Sequence, residues 1–496
     1  MMSVSLRSNQ DKPFLGRDAL WLAGLVLASM FVYLGLSAIT YRIGFPLDDS
    51  WIHQTYARNF ALRGEWAFVP GEISAGSTSP LWTILLALGF VLNLSPYLWT
   101  FFLGGILLFG ISVLVEIILR RSILFYKPTF PWAGSIFVLE WHFVWAAFSG
   151  METSLYIFLV LFVMINLFSH SRNYLFSGML VGVALWVRPD GLTLLGPLAL
   201  MILLTEATFL DRLRCLLRLS FGFGVFFFPY LLFNLAISGT PMPNTFYAKQ
   251  AEYVGWNLLP FGTRVWFFAL QYFQGVSLFF IPGFFYKLIN AFQERKWGLI
   301  SAAIWMFGTI LMYLLRLPVY QHGRYLMPAL SIFIIIGFCG FLDALAWLRS
   351  RQLYRLTVAC LAAVTIILTI SFGFGGIIYS QDVAFIESQM VDTARWVAQN
   401  LPHSSKIAAH DIGALGFFGE HPIIDLAGLI TPDVIPIIND GERLSNYLCE
   451  HGVQYLVAFM DWKPEISREA RYFVAQNKFN SQSGYGSMGV FGWNQP

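Results

Sequence analysis

The chain reads as an α-helical polytopic membrane protein with a small C-terminal α/β extracytoplasmic domain, and three observations support that class. Hydrophobic residues make up 57% of the 496 and charged residues only 12%, with a mean hydropathy of +0.63, whereas a soluble domain is about 25% charged. Apolar runs long enough to cross roughly 30 Å of hydrocarbon recur along the first part of the chain. From about residue 381 the composition turns to that of a water-exposed domain. The 48 Phe and 17 Trp suit lipid-facing surface and the headgroup interface.

Apolar runs start near residues 19, 97, 130, 152, 174, 191, 215, 263, 297, 325 and 355, which predicts about eleven transmembrane helices. The first follows Arg7, Lys12 and Arg17 and lacks a small-residue cleavage pattern, so it reads as a retained span. A further stretch, residues 80 to 94, begins at Ser79-Pro80 and is short for a crossing. Loop charge decides its status, because Lys and Arg in short loops mark the cytoplasmic side. If residues 80 to 94 do not cross, every basic connection falls on one side: the N-terminus, Arg120-Arg121 with Lys127, Arg172, Arg212 to Arg218, Lys287 to Lys296, and Arg349 to Arg355. The segment is therefore re-entrant or interfacial, and the first outer loop is long, about residues 41 to 96. This registration predicts a multi-pass protein of the cell (plasma) membrane, with its N-terminus cytoplasmic and its C-terminal domain outside.

Two units follow: residues 1–380 as the membrane unit and 381–496 as the extracytoplasmic domain. In the second, DVAFIESQMVDTARWVAQNLP reads as an amphipathic helix ended by Asn400 and Pro402. The runs KIAAH, PIIDL and VQYLVAF read as strands, with a helix near residues 441 to 450. Cys215, Cys339, Cys360 and Cys449 show neither a disulfide framework nor metal-ligand spacing.

Chemically capable residues collect in the outer connections. Asp48 and Asp49 follow the first span, although capping of the helix carrying Ile52, Tyr56 and Phe60 would itself employ one Asp or Ser50. Glu152 lies in SGMETSLY, and Arg188 and Asp190 in VRPDGL, where snorkelling and a turn are the plainer readings of each taken singly. PMPNTFYAK sets out Asn244, Tyr247 and Lys249, and RLPVYQHGRYLMP supplies Arg316, His322, Arg324 and Tyr325. A rigid turn and an interface belt would explain some of these. Their convergence on one face is the stronger signal: cations can hold a phosphate and a carboxylate can accept a proton. Glu140 and His142 fall inside the third span, where ionisable groups are functional candidates, lining either an inward extension of the outer cavity or a transport path.

These residues resemble the GT-C superfamily of glycosyltransferases, which use polyprenyl-phosphate sugars as donors on the outer face of the membrane. DDSWIHQTYARNFALRGEWAFVPGEISAGSTSPLWTILLAL is similar to the first outer loop of the mycobacterial terminal arabinofuranosyltransferase and its bacterial relatives. GMETSLY, RPDGL, PNTFYAK, HGRYLMP and HDIGALGFFGEHPIIDLAGLITPD follow in the same order. The resemblance implies a general base at Asp48 or Asp49, a phosphate site among Arg188, Lys249, His322 and Arg324, and Glu152 near the sugar or acceptor. Asp190, Asn244, Tyr247 and Tyr325 join them as substrate-binding candidates.

It also implies inverting hexosyl or pentosyl transfer to a cell-wall glycan, glycolipid or protein acceptor, with membrane lipid as the other partner. Nucleic acid is not among the expected partners. No metal site and no cofactor are expected, since no His and Cys spacing requires one, although a divalent ion occurs in some members of the superfamily. The runner-up is a transporter or flippase of a lipid-linked or sugar substrate, motivated by Glu140 and His142, but neither repeated halves nor paired broken helices are visible. A scaffold is the third reading, for which so many spans are excessive.

Overall fold

The computed structural model describes residues 16–122, 130–168, 172–319, 321–463, 471–475 and 486–493. Arg7, Lys12 and Lys127 of the basic connections lie outside the described residues. The protein is a helical membrane body with a five-stranded sheet packed against one end.

Helix α1 (Gly16–Thr40) is 25 residues of apolar sequence, and among the described residues it is one of seven helices long and apolar enough to cross a membrane. The first long connection then folds into two short helices, α2 (Asp49–Arg63) and α3 (Pro80–Val91). At 12 residues, α3 reaches about 18 Å, well short of a roughly 30 Å hydrocarbon layer. Ser79-Pro80 starts it, Pro at the first position having no N–H to lose. Helix α4 (Pro96–Ser122) is again of crossing length.

The run expected as a third span is divided. Helix α5 (Trp132–Leu139) stops at Glu140, whose backbone is extended, and α6 (Trp141–Ala147) restarts beyond it. Helices α7 (Thr153–Phe168), α8 (Tyr174–Val187) and α9 (Leu195–Thr205) are apolar but short. Apolar composition alone marked these stretches as crossings. Much of α7 is buried among other helices, which apolar sequence also permits.

Helix α10 (Phe209–Ser238) is long and packs tightly on α8: any side chain at Gly178 or Gly222 would collide with the backbone of the facing helix. Small residues at such positions let membrane helices approach closely. Helix α11 (Asn244–Glu252) is a short polar helix in the next connection. The span expected from residue 263 begins later, because α12 (Phe261–Tyr272) is separate and the crossing-length segment, Gly275–Gln293, contains α13 (Ile281–Gln293). Helices α14 (Trp297–Arg316), α15 (Met327–Ser350) and α16 (Tyr354–Ile386) complete the body.

Helix α16 does not end at the membrane boundary. A π-helical turn, Glu387–Val391, leads directly into α17 (Asp392–Asn400), giving one helical rod over Tyr354–Asn400. Residues 382–400 are therefore the continuation of a span rather than a separate helix. Arg42 braces the rod where it emerges, bonding Glu387 at 2.6 Å and Asp392 at 2.7 Å.

The C-terminal sheet has the order β2-β1-β3-β5-β4, formed by β1 (Ile407–Ala409), β2 (Ile423–Asp425), β3 (Tyr455–Phe459), β4 (Arg471–Val474) and β5 (Met488–Gly492). β1 runs parallel to β2 and β3, while β5 is antiparallel to β3 and β4. The three apolar runs predicted as strands are β2, β1 and β3, and α18 (Gly441–Glu450) covers the predicted helix.

Candidate active site

The start of α2 sorts the two neighbouring aspartates into different environments. Asp48 occupies the N-cap position but makes no capping hydrogen bond. Its carboxylate instead accepts the backbone N–H groups of Gly413 (2.7 Å) and Ala414 (2.8 Å) from the C-terminal domain. Gly413 is required there, since a side chain would collide with the Asp48 carbonyl. Arg58, further along α2, donates to the Phe417 carbonyl at 2.7 Å, and Trp51 packs on the Phe417 and Phe418 rings. Asp48 thus belongs to the seam between the membrane body and the sheet domain.

Burial, and next the nearby Asp411 carboxylate, push Asp48 up to about 7 against the two backbone donors. A folded-state pKa above the unfolded value means stability that is fully present below about pH 4 and lost as pH rises through about 7. Each tenfold change in proton affinity is worth about 1.4 kcal/mol, so the effect is a few kcal/mol at most. The unfolding temperature of the native chain is therefore expected to fall by several degrees between about pH 5 and pH 8. Asp48→Asn should flatten that slope in a thermal-unfolding series, and an unchanged slope would remove Asp48 as its source.

Asp49, one residue on, points the other way, into a cavity of about 160 Å³. That cavity is also lined by Glu152, Arg188, Asp190, Lys249, Arg324 and Tyr325. They come from the first long connection, the α6–α7 loop, the turn after α8, helix α11 and the α14–α15 loop, so residues up to 276 positions apart in sequence (Asp49 to Tyr325) share one wall. Arg324 donates to Asp49 at 2.5 Å and to the Tyr325 hydroxyl at 3.1 Å, and Lys249 reaches the same hydroxyl at 2.6 Å. The Tyr325 ring is the platform for all three cations, with Arg188, Arg324 and Lys249 at 4.5, 5.0 and 5.3 Å from its centroid.

Arg188 is buried and binds Asp190 at 2.9 Å, Glu152 at 3.5 Å and the Tyr313 hydroxyl at 2.9 Å. Tyr313 in turn donates to Asp190 and stacks on Tyr325, with ring centroids 5.4 Å apart.

Electrostatics follow from this crowding. Burial would raise Asp49, but Arg324 and then Lys249 hold its carboxyl below the ordinary value. Burial likewise opposes ionisation of Glu152, yet the neighbouring His53 imidazole and the Arg188 charge lower it to about 2. Burial acts upward on Tyr325 too, and Arg324, Lys249 and Arg188 together bring the phenol down to about 8. The site therefore holds two carboxylates ionised at neutral pH amid concentrated positive charge.

The other candidates lie apart. Asn244 is buried at the start of α11 beside the lining residues Pro243 and Thr245, and does not itself face the cavity. Tyr247 on the same helix is exposed. His322 turns away from Arg324 altogether and bonds Asp382 of α16 at 2.7 Å. Gln321, His322 and Gly323 carry three consecutive positive φ angles, 52°, 56° and 67°, which reverse the chain between His322 and Arg324.

Two residues of the site were not singled out in the sequence. His53 sits 3.6 Å from Glu152 and is held through Nδ1 by Ser77 and Thr83 at 3.1 and 3.3 Å. Its spacing of four from Asp49 on one helix face was an available signal. Tyr313 ends an apolar span, where a tyrosine reads as interface belt. Among the described residues no group of three or more His, Cys, Asp or Glu is arranged to hold a metal ion.

Fold and site together define a membrane-embedded helical scaffold of the GT-C glycosyltransferase fold. The chain is similar to ArnT from Cupriavidus metallidurans in the apo state, at a TM-score of 0.59 and 14% identity, covering 96% of this chain and 98% of ArnT. ArnT bound to undecaprenyl phosphate gives a TM-score of 0.55 at 13% identity over 95% and 97% of the two chains. The Archaeoglobus fulgidus oligosaccharyltransferase gives 0.60 at 11% identity over 91% of this chain and 70% of that one. A mycobacterial arabinofuranosyltransferase AftD mutant gives 0.52 at 14% identity; 97% of this chain is covered but only 42% of AftD. Residues 378–491 match a family described as a domain of unknown function, DUF8728. No curated protein matches the sequence.

Proposed function

We propose that the chain transfers a glycosyl group from a polyprenyl-phosphate-linked sugar to an acceptor at the outer face of the membrane. The observation that carries this reading is the single cavity in which the Asp49 carboxylate faces Arg324, Lys249 and Arg188. Undecaprenyl phosphate bound to the structurally similar ArnT supports a lipid phosphate as the carrier. The cations hold the phosphate. Asp49 takes the proton from the acceptor hydroxyl as its oxygen bonds to the anomeric carbon, and the carbon–oxygen bond to the lipid phosphate breaks with its electron pair remaining on the phosphate. A phosphate already leaves readily, so the site needs no strong general acid. Direct displacement inverts the anomeric centre.

Arg324 ties the two tasks together. Before donor binding it pairs with Asp49; an arriving phosphate competes for the same guanidinium and loosens its hold on the carboxylate, which then becomes a better base. Glu152, kept ionised by His53 and Arg188, stands ready to accept hydroxyls of the sugar or acceptor.

Incubation of the purified full-length chain with a panel of polyprenyl-phosphate sugars and a membrane extract as acceptor source is expected to release free lipid phosphate with formation of an inverted glycoside, read by NMR at the anomeric proton. Movement of the lipid-linked sugar across proteoliposomes without any new glycosidic bond would instead favour the transporter reading.

A further inference from the structure

A polar pocket of about 480 Å³ opens at the other end of α8 from Arg188, where α9 gives way to α10. Arg172, Asn173, Tyr174, Glu206, Cys215 and Arg218 line it. The 14 residues of α8, about 20 Å, separate it from Arg188 and the Asp49 cavity. Loop charge reads this side as cytoplasmic, since Arg172 and Arg212 to Arg218 are two of the basic connections. The space is many times the roughly 30 Å³ share of one water, enough for a glycerophosphate head.

Positive charge is in excess here. Among the described residues of α8, α9, α10 and their connections, the ion pairs join Arg214 to Asp211 and, at the far end, Arg188 to Glu152 and Asp190. Arg172 and Arg218 are left without a counter-charge. Arg172 donates to the Thr205 hydroxyl at 3.2 Å while its Nε is buried with no partner, and Arg218 is exposed. Glu206, the one carboxylate among the described lining residues, is approached by the Tyr174 hydroxyl at 3.5 Å. Two guanidiniums thus share the pocket with one carboxylate, and the positive end of the α8 dipole, capped by Asn173, adds to them. A cationic head is repelled, and a zwitterionic head brings no net charge to offset the excess. Phosphate oxygens suit the planar guanidinium and its unpartnered Nε.

Two features set the pocket against lipid. The 20 residue steps from Arg218 to Ser238 at the end of α10 cover about 30 Å, the thickness of the hydrocarbon layer, so Arg218 stands where hydrocarbon meets headgroups. Leu213, Leu217 and Phe221 of α10 and Phe176 of α8 are exposed along the flanks, an apolar surface that acyl chains cover and a soluble anion does not.

We propose that this pocket binds the head of an anionic phospholipid, its phosphate between Arg172 and Arg218 and its acyl chains along the exposed face of α10. The site is distinct from the Asp49 cavity and holds whatever reaction takes place there.

Native mass spectrometry of the full-length chain released from nanodiscs tests this, with phosphatidylglycerol, phosphatidylethanolamine and monoglucosyl diacylglycerol of matched chains as probes. The expected result is about tenfold preferential retention of phosphatidylglycerol over both others. Arg218→Gln should lower that preference about fivefold, the scale of one cation at a membrane surface, and Arg172→Gln with Arg218→Gln should erase it. Arg218 is exposed and unpaired, so the single variant keeps its fold. Arg349→Gln with Arg355→Gln, which removes two cations from another connection on the same side, should leave the preference intact. Cys215 supplies a local readout: phosphatidylglycerol should slow its alkylation by N-ethylmaleimide about tenfold, measured by peptide mass spectrometry, and inorganic phosphate should not. Equal retention of the three lipids, a preference that survives loss of both pocket arginines or falls equally in the Arg349 and Arg355 variant, or protection of Cys215 by inorganic phosphate as strong as by the lipid would overturn the proposal.

Discussion

Asp49→Asn is expected to reduce the turnover of glycosyl transfer about a thousandfold, within the 10²- to 10⁴-fold range that a positioned base contributes. The amide retains the size of the side chain and one acceptor oxygen, so Arg324 keeps a partner and the cavity keeps its shape. What disappears is the capacity to take a proton. The Michaelis constant for the lipid donor should change little or fall, because a neutral amide holds Arg324 less tightly than the carboxylate does. Asp48→Asn, by contrast, should cost less than about tenfold in turnover and show itself mainly as weaker docking of the sheet domain, since its contacts are the backbone of Gly413 and Ala414. Steady-state kinetics of the two variants side by side decide the matter. Equal losses would mean that the first long connection acts only as a structural unit, and retained turnover in Asp49→Asn would end the assignment of the base.

Arg188→Gln should do most damage among the cation substitutions, and to stability as well as to donor binding. The guanidinium is 5% exposed and holds Glu152, Asp190 and the Tyr313 hydroxyl at once. Removing it takes the shared guanidinium from the buried Glu152 and the half-buried Asp190, and breaking a buried pair in this way costs up to about 3–5 kcal/mol. Thermal unfolding of Arg188→Gln should therefore drop by many degrees, and the addition of Asp190→Asn should recover part of the loss by removing one of the stranded charges. Lys249→Gln offers the contrast. It sits at the rim of the same platform on a short helix, so its loss should raise the donor Michaelis constant while leaving the unfolding temperature within a degree or two. If Arg188→Gln unfolded no earlier than Lys249→Gln, the ion network would not be the keystone its geometry indicates.

Much of this site was legible in the sequence because its chemistry runs against its surroundings. An ionisable residue in a connection between apolar runs is visible wherever it falls, so Asp49, Glu152, Arg188, Lys249 and Arg324 could be collected without knowing how the helices pack. Direction was not legible. Asp48 and Asp49 are adjacent at a helix start and face different partners, a distinction set by where the distant Gly413 backbone docks. His322 and Arg324 look equivalent in HGRYLMP, yet three left-handed residues in a row send them to opposite sides of the loop, and only the last of these is a glycine.

Helix length was not legible either. The stretches beginning near residues 130, 152 and 174 are as apolar as the seven helices of crossing length among the described residues but form shorter helices, and apolar character reports exclusion from water without saying whether lipid or protein is the neighbour. The sheet was partly readable: β1, β2 and β3 are runs of apolar residues, whereas RYFV in β4 and MGVFG in β5 carry too little alternation to stand out from the turns around them.

The rod formed by α16 and α17 has a mechanical meaning. From Glu387 to Asn400 it extends about 20 Å beyond the point where Arg42 grips it. A change of tilt of about 10° in the embedded part, of the size that hydrophobic mismatch produces, swings the far end by roughly 4 Å. The sheet rides on that end, and His410 from just after β1 reaches back to Glu252 of α11, the helix that carries Lys249. A lean of the rod is thereby carried through the sheet to α11, the helix that brings a cation to the platform.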